Sequence, residues 1–254
     1  MSYFGMQLKS QMQYKASFLL ATFGQFLTAF ASFFSIAFLF GRIDRVDDFS
    51  FQEVLLCFSV VMLSFSIGEL FGGGLASFSR ILGDGSFDRI MVRPRSILMQ
   101  VLAPNTDFTR LGLTIQAVIV LAYAVRTSGI RWTVDKMFVL ALMIICGSIV
   151  FFALFLMTAS FSFFLIESMD FLTVFTYGSR KFGQYPFSVY GKEILKVLTF
   201  MVPLALFQYY PLLYLIDRKT GLFYVLCPLL SLLFVIPSYA LYRVGIRKFK
   251  STGS

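Results

Sequence analysis

The chain has 254 residues, 58% of them hydrophobic and only 14% charged, against about 45–50% and about 25% in soluble domains. At this length that excludes a water-soluble fold, because so much apolar surface can be covered only by lipid. Histidine is absent, which excludes histidine triads, histidine-ligated metals and histidine proton relays, and the net charge of +9 carries meaning only through its distribution among loops.

Residues 1–15 place Phe4, Leu8 and Met12 at i, i+4 and i+8 and read as an interfacial helix. A bilayer core takes about 20 apolar residues in helix, and the hydropathy predicts six spans, at 16–40, 54–75, 111–125, 137–164, 190–210 and 228–246. The expected fold class is therefore all-α, one polytopic membrane domain over 1–254. Residues 211–227 are apolar yet not needed for crossing. Pro211 and Gly221 interrupt them, which predicts a broken or re-entrant helix entering from the outer face. Cys57, Cys146 and Cys227 lie in or beside apolar runs without metal-ligand spacing and read as small buried hydrophobes.

An even number of spans puts both termini on one side, and the positive-inside rule selects the cytoplasm. In that topology the basic residues of 80–110, of 180–196 and of the two termini lie inside, while Arg42, Arg45, Arg126, Arg131, Lys136, Arg218 and Lys219 lie outside.

Two stretches are expected to be inner loops. In the first, the turn Gly83, Asp84, Gly85 precedes Ser86, which can cap a short helix with Asp88 in its first turn. Phe87, Ile90 and Met91 share one face, flanked by Arg89 and Arg93, and Pro94 ends the helix. Such a helix either lies on lipid headgroups or docks into a soluble partner. The second loop, 166–192, mixes Glu167, Asp170, Arg180 and Lys181 with Phe171, Phe175, Tyr177, Phe182, Tyr185, Phe187 and Tyr190. An interfacial aromatic belt explains that mixture without nucleic acid.

Three patterns in this order carry a resemblance: Phe87, Asp88, Arg89 with Arg93 and Pro94; Tyr177, Gly178, Arg180, then Tyr185, Pro186, Ser188 and Tyr190; and Gln208, Tyr209, Tyr210, Pro211. The chain resembles the permease subunits of type-2 ATP-binding-cassette exporters, in a bacterial six-span subfamily. The resemblance implies two separate ATPase subunits carrying ATP and magnesium, and a second permease, identical or a paralogue. It also implies a bacterial cytoplasmic membrane location. By it, Phe87, Asp88, Arg89, Ile90, Met91, Arg93 and Pro94 form the coupling helix that contacts the ATPase. The chain itself has no phosphate loop: Gly72, Gly73 and Gly74 run into Leu75 and Ala76 and read as a packing or kink site. It is expected to bind no cofactor and to be no enzyme.

Ionisable and amide groups within spans are candidates for a substrate path. Glu69 is the clearest, either as a structural ion-pair member or as a gating or substrate contact. Gln25, Gln116, Gln208 and Tyr209 complete the set. Weakly polar walls suit an amphipathic or lipophilic cargo moved by alternating access. The other readings are a stand-alone secondary transporter or channel, which would want ionisable groups at midplane, and a lipid-acting membrane enzyme, which would want clustered acids or nucleophiles.

Overall fold

A computed structural model describes residues 3–164 and 169–249, with side chains from Gly5 to Phe164 and from Thr176 to Phe249. In chain order the helices are α1 (Tyr3–Gln11), α2 (Lys15–Phe40), α3 (Phe51–Gly72), α4 (Phe78–Gly83), α5 (Ser86–Met91), α6 (Ile97–Leu102), α7 (Leu111–Thr127), α8 (Val134–Phe161), α9 (Met169–Phe182), α10 (Lys192–Phe200), α11 (Leu204–Phe207), α12 (Tyr209–Leu215), α13 (Leu222–Ser231) and α14 (Val235–Lys248). A hairpin, β1 (Arg45–Val46) with β2 (Phe49–Ser50), joins α2 to α3. Five continuous helical stretches among the described residues are long and apolar enough to cross a membrane, and α10 with α11 and α12 forms a sixth candidate bent by 88°. The protein is a polytopic all-α membrane protein.

The central helix is α3, whose side chains from Val54 to Ser66 are all buried. A capping box starts it. Ser50 Oγ accepts from the Glu53 N–H at 3.4 Å, and the Ser50 N–H donates to Glu53 Oε2 at 2.8 Å. Helices α7 and α8 pack on its sides. Gly68 lets α8 approach, since a Cβ there would stand 2.9 Å from the Ser148 carbonyl oxygen. Helix α2 is the outlier. It buries only Ala29 and Ile36 and leans on α7 at Gly112, where a Cβ would collide with the Thr22 carbonyl. Many hydroxyls in the helices return to their own backbone, as Ser59 does to Leu56, Ser148 to Ile144 and Ser238 to Phe234, while Ser64 on α3 donates across to the Ile144 carbonyl of α8 at 3.3 Å.

The bundle has two ends. The hairpin end carries β1 and β2; the opposite, short-helix end carries α4, α5 and α6. Helix α9 climbs from the second toward the first, antiparallel to α3. The Tyr177 ring centroid lies 5.7 Å from that of Phe65, and the Arg180 guanidinium sits 4.9 Å over the Phe65 ring with its Nε 3.3 Å from Met62 Sδ. Gly183 presses on Val61, and its carbonyl accepts from Cys57 Sγ at 3.7 Å. From Phe65 to Cys57 is roughly 12 Å of helix rise. On the other flank the Thr176 and Thr158 hydroxyls meet at 3.0 Å. Tyr209 then has Ser188, Asp47 and Arg218 as electrostatic neighbours, which puts residue 188 at the hairpin end.

The stretch from α10 to α12 therefore enters and leaves by the same end. Gln208 Nε2 donates to the carbonyls of Tyr185 (3.2 Å) and Gly183 (3.4 Å), pinning its return beside its entry. At the exit Lys136 Nζ meets Asp217 Oδ2 at 2.7 Å, and Arg218 donates to the Asp48 carbonyl at 2.6 Å.

Four expectations are corrected by this path. The fifth span at 190–210 is instead the larger part of a re-entrant excursion, and the traverse at this point of the chain belongs to α9. The re-entrant segment is 192–215, not 211–227. Pro211 does not break a helix, because it lies in the first turn of α12 where a missing N–H costs nothing; the bend falls at 201–203, before Pro203. The last membrane helix begins at Leu222, with Pro228 inside it. Hydropathy misreads this region because α10 to α12 have the length and apolarity of a span, while α9 carries Tyr177, Ser179, Arg180 and Lys181 and reads as a loop. Residues 169–190 form no inner loop, since they run toward the hairpin end. Lys192 opens α10 at the hairpin end with Lys196 one turn on, and Arg180 lies within the helix layer, so the charge bias used to orient the chain narrows. Glu167 lies outside the described residues, as do the side chains of Phe4, Asp170, Phe171 and Phe175.

Candidate functional site

The short-helix end is built around four aromatic rings from four segments. Phe87 on α5 meets Phe78 on α4 at 5.5 Å, Phe163 just past α8 at 5.5 Å, and Phe249 just past α14 at 4.8 Å, all edge to face. Phe78 and Phe163 close the set at 5.1 Å. Phe78 and Phe87 are fully buried. Gly245 makes the assembly possible, since a Cβ there would overlap the Phe163 ring.

The local sequence sets α5 on this hub. Gly85 is its N-cap at φ +71°, a conformation that glycine adopts without strain. Asp84 Oδ1 accepts from the Ser86 N–H at 3.0 Å and from its hydroxyl at 2.5 Å. The cap acceptor is thus Asp84, and Ser86, expected to be the cap, is the first helical residue. These two hydrogen bonds hold the Asp84 carboxyl below the usual aspartate range. At the other end Gln100 Nε2 donates to the carbonyls of Ile90 (3.2 Å) and Arg95 (3.1 Å), tying α5 to α6.

Helix α5 consequently has two faces. Phe87 and Ile90 point into the bundle. Arg89, Met91, Val92, Arg93, Pro94 and Arg95 are exposed, Val92 at 83%. Of the residues assigned to partner contact from the sequence, Phe87 is buried, Ile90 is partly buried against the core and Asp88 is half-buried. Val92, which directly follows the amphipathic run, is exposed beside Met91 and Arg93.

Above this end lies a buried charge network. Glu69 Oε1 accepts from Arg110 Nη1 at 2.5 Å, with the carboxylate fully buried, and Arg110 Nε reaches Asp107 Oδ2 at 3.4 Å. Glu69 Oε2 is buried without a hydrogen-bond partner. Tyr177 and Arg180 on α9 are the other electrostatic neighbours of the same carboxylate. The network joins α3, α7 and α9. Arg110 and Arg180 were missed as its members because their separation from Glu69 in sequence gives no local signal.

The five candidate path residues are not gathered. Gln25 is half-buried on α2. Gln116 on α7 is fully buried with neither amide atom hydrogen-bonded. Gln208 is fully buried at the junction of α11 and α12, contacting Cys57 and the 183–185 backbone. Tyr209 points toward the hairpin. None of the five lines the cavity of about 740 Å³ between α10–α12 and α13–α14, nor the one of about 310 Å³ between α3 and α8.

A family model described as "ABC-2 family transporter protein" matches residues 26–253. The chain belongs to the ABC-2 transporter family. No match was found among curated proteins or among solved structures. This ABC-2 protein is the permease component of an ABC transporter rather than its ATPase, an integral membrane protein whose family implies an ATPase partner.

Proposed function

We propose that this permease is the membrane subunit of an ATP-driven exporter, with α5 as its coupling helix. The observation that supports this most directly is the two-faced build of α5: an exposed basic and apolar edge at the tip of the bundle, with the opposite face locked onto the ends of α8 and α14. A partner gripping Arg89, Met91, Val92 and Arg93 could not move them without moving Phe87, and through Phe163 and Phe249 the ends of two membrane helices. ATP and magnesium act on two partner ATPases. Their closure favours the permease state that holds α5 best, and that difference in contact drives alternating access.

In this reading the short-helix end and both termini face the cytoplasm of a bacterial cell, and a second permease, identical or a paralogue, completes the membrane unit. The cargo is amphipathic or lipophilic, in keeping with helix walls that are mostly apolar and in which hydroxyls such as those of Ser59, Ser148 and Ser238 bond their own backbone.

Site-specific photo-crosslinking tests the coupling assignment. A crosslinker at Val92 should capture an ATPase subunit in the native membrane, and one at Phe87 should capture only this chain. Failure at Val92, or equal capture from both positions, overturns the assignment.

A further inference from the structure

The cavity between the re-entrant hairpin and the last membrane helix is unexplained by coupling. Its volume of about 740 Å³ falls within the range of small-molecule sites, about 300–1,000 Å³. Its wall includes Met157, Leu206, Leu233 and Phe234. The side-chain polar atoms among its lining residues are the hydroxyls of Thr199 and Tyr210, 3.4 Å apart, and Thr199 already donates to the Leu195 carbonyl at 2.6 Å. Pro203 stands at the bend between α10 and α11, where its missing N–H keeps α10 from running on into α11 and closing the space.

The rim is apolar and open sideways. Phe200 is 86% exposed, and Met201 and Leu233 are 64% and 61% exposed. In a membrane protein such a rim faces hydrocarbon, so a ligand arrives from the bilayer. Along α10 the chemistry changes. Lys192 and Lys196 follow one face at i and i+4, and Thr199 and Phe200 of the cavity lie one turn beyond Lys196. The same helix thus offers cations at the hairpin-end interface and then an apolar slot deeper in. Lys196 also reaches Glu193 Oε1 at 2.9 Å, but both side chains are largely exposed, and a pair of that kind gives way to a competing anion at small cost.

From this juxtaposition we infer that the cavity is a lateral binding site for a single-chain anionic amphiphile taken from the surrounding bilayer. Its hydrocarbon chain lies between Leu206 and Leu233, and its acidic head is held by Lys192 and Lys196. The site stands apart from the coupling assignment and needs no nucleotide.

The test uses the full chain in nanodiscs without ATP and a palmitic-acid analogue carrying a photoactivatable diazirine near its tail, with its methyl ester as the neutral control. Mass spectrometry should find the label concentrated on peptides covering 197–210 and 222–237, and unlabelled palmitate should displace it. K192Q/K196Q, a surface change that leaves the wall intact, should lower labelling by the acid about fivefold while sparing the ester. Leu206→Trp, which fills the slot, should lower both. Labelling spread evenly over lipid-facing helices such as α2, equal labelling by acid and ester, or labelling untouched by Leu206→Trp would each overturn the site. Failure of the Val92 crosslink would leave these results unaffected, so the two readings fail separately.

Discussion

The rings of Phe87 and Phe249 lie 4.8 Å apart, edge to face, although 161 positions separate the two in the chain. One belongs to a short helix at the tip of the bundle, the other to the exit of the last membrane helix. With Phe163 between them, the tip is joined mechanically to α8 and α14 rather than hanging from a loop.

Removing the anchor should therefore differ from removing the exposed edge. Phe87→Ala deletes a fully buried ring, a change that costs about 3–5 kcal/mol in well-packed cores. It should lower the melting temperature and open the bonds after Arg89 and Arg95 to trypsin. Arg89→Ala should leave melting and cleavage at Arg95 unchanged while weakening retention of the ATPase on purification. Equal melting temperatures for the two variants would contradict the hub.

The Glu69 and Arg110 pair should show strong coupling. Arg110→Ala leaves a buried carboxylate without its cation, a loss of about 3–5 kcal/mol. Adding Glu69→Ala removes the uncompensated charge and should restore much of it. Thermal melting of the two single variants and the double variant measures the coupling directly; additive losses would mean that Tyr177 and Arg180 hold the carboxylate without Arg110.

Two glycines give a contrast in packing. A Cβ on Gly147 would stand 2.6 Å from Ser64 Oγ and 2.7 Å from the Phe207 ring, so Gly147→Ala should push α11 off α8 and cost about 1–3 kcal/mol. Gly24 has nothing within 4 Å of that position, and Gly24→Ala should be neutral or stabilising by about 0.5–1 kcal/mol. Melting temperatures of the two variants check both signs.

The cap of α5 predicts a pH dependence. Asp84 is held below its ordinary value in the folded chain by the Ser86 hydroxyl and N–H. A carboxylate lowered in this way contributes its full stabilisation above the unfolded value of about 3.9 and loses it as pH falls through the lower, folded value. The Ser86 amide resonance should therefore hold steady from neutral pH down to that range and move only below it. In Asp84→Asn that late movement should vanish.

The amphipathic run at 86–94 was legible in the sequence because it is local, set by spacings of three and four residues. The hub was not. Phe163 and Phe249 follow the ends of helices, where no periodicity marks them. Ile90 and Met91 share a helical face in the sequence pattern, yet Ile90 turns inward and Met91 outward, because the hub fixes which edge of that face is covered.

What the sequence determined by itself is the solvent and the fold class. So many apolar residues, clustered in runs of membrane-crossing length, must form helices in lipid. Only the tertiary structure decided which segments traverse. Helix α9 carries an arginine and a tyrosine through the helix layer because α3 and α8 surround them, and the more apolar stretch after it turns back at Pro203. Hydropathy measures each residue's cost against lipid alone; inside the bundle the cost is set by neighbours, and these come from distant parts of the chain.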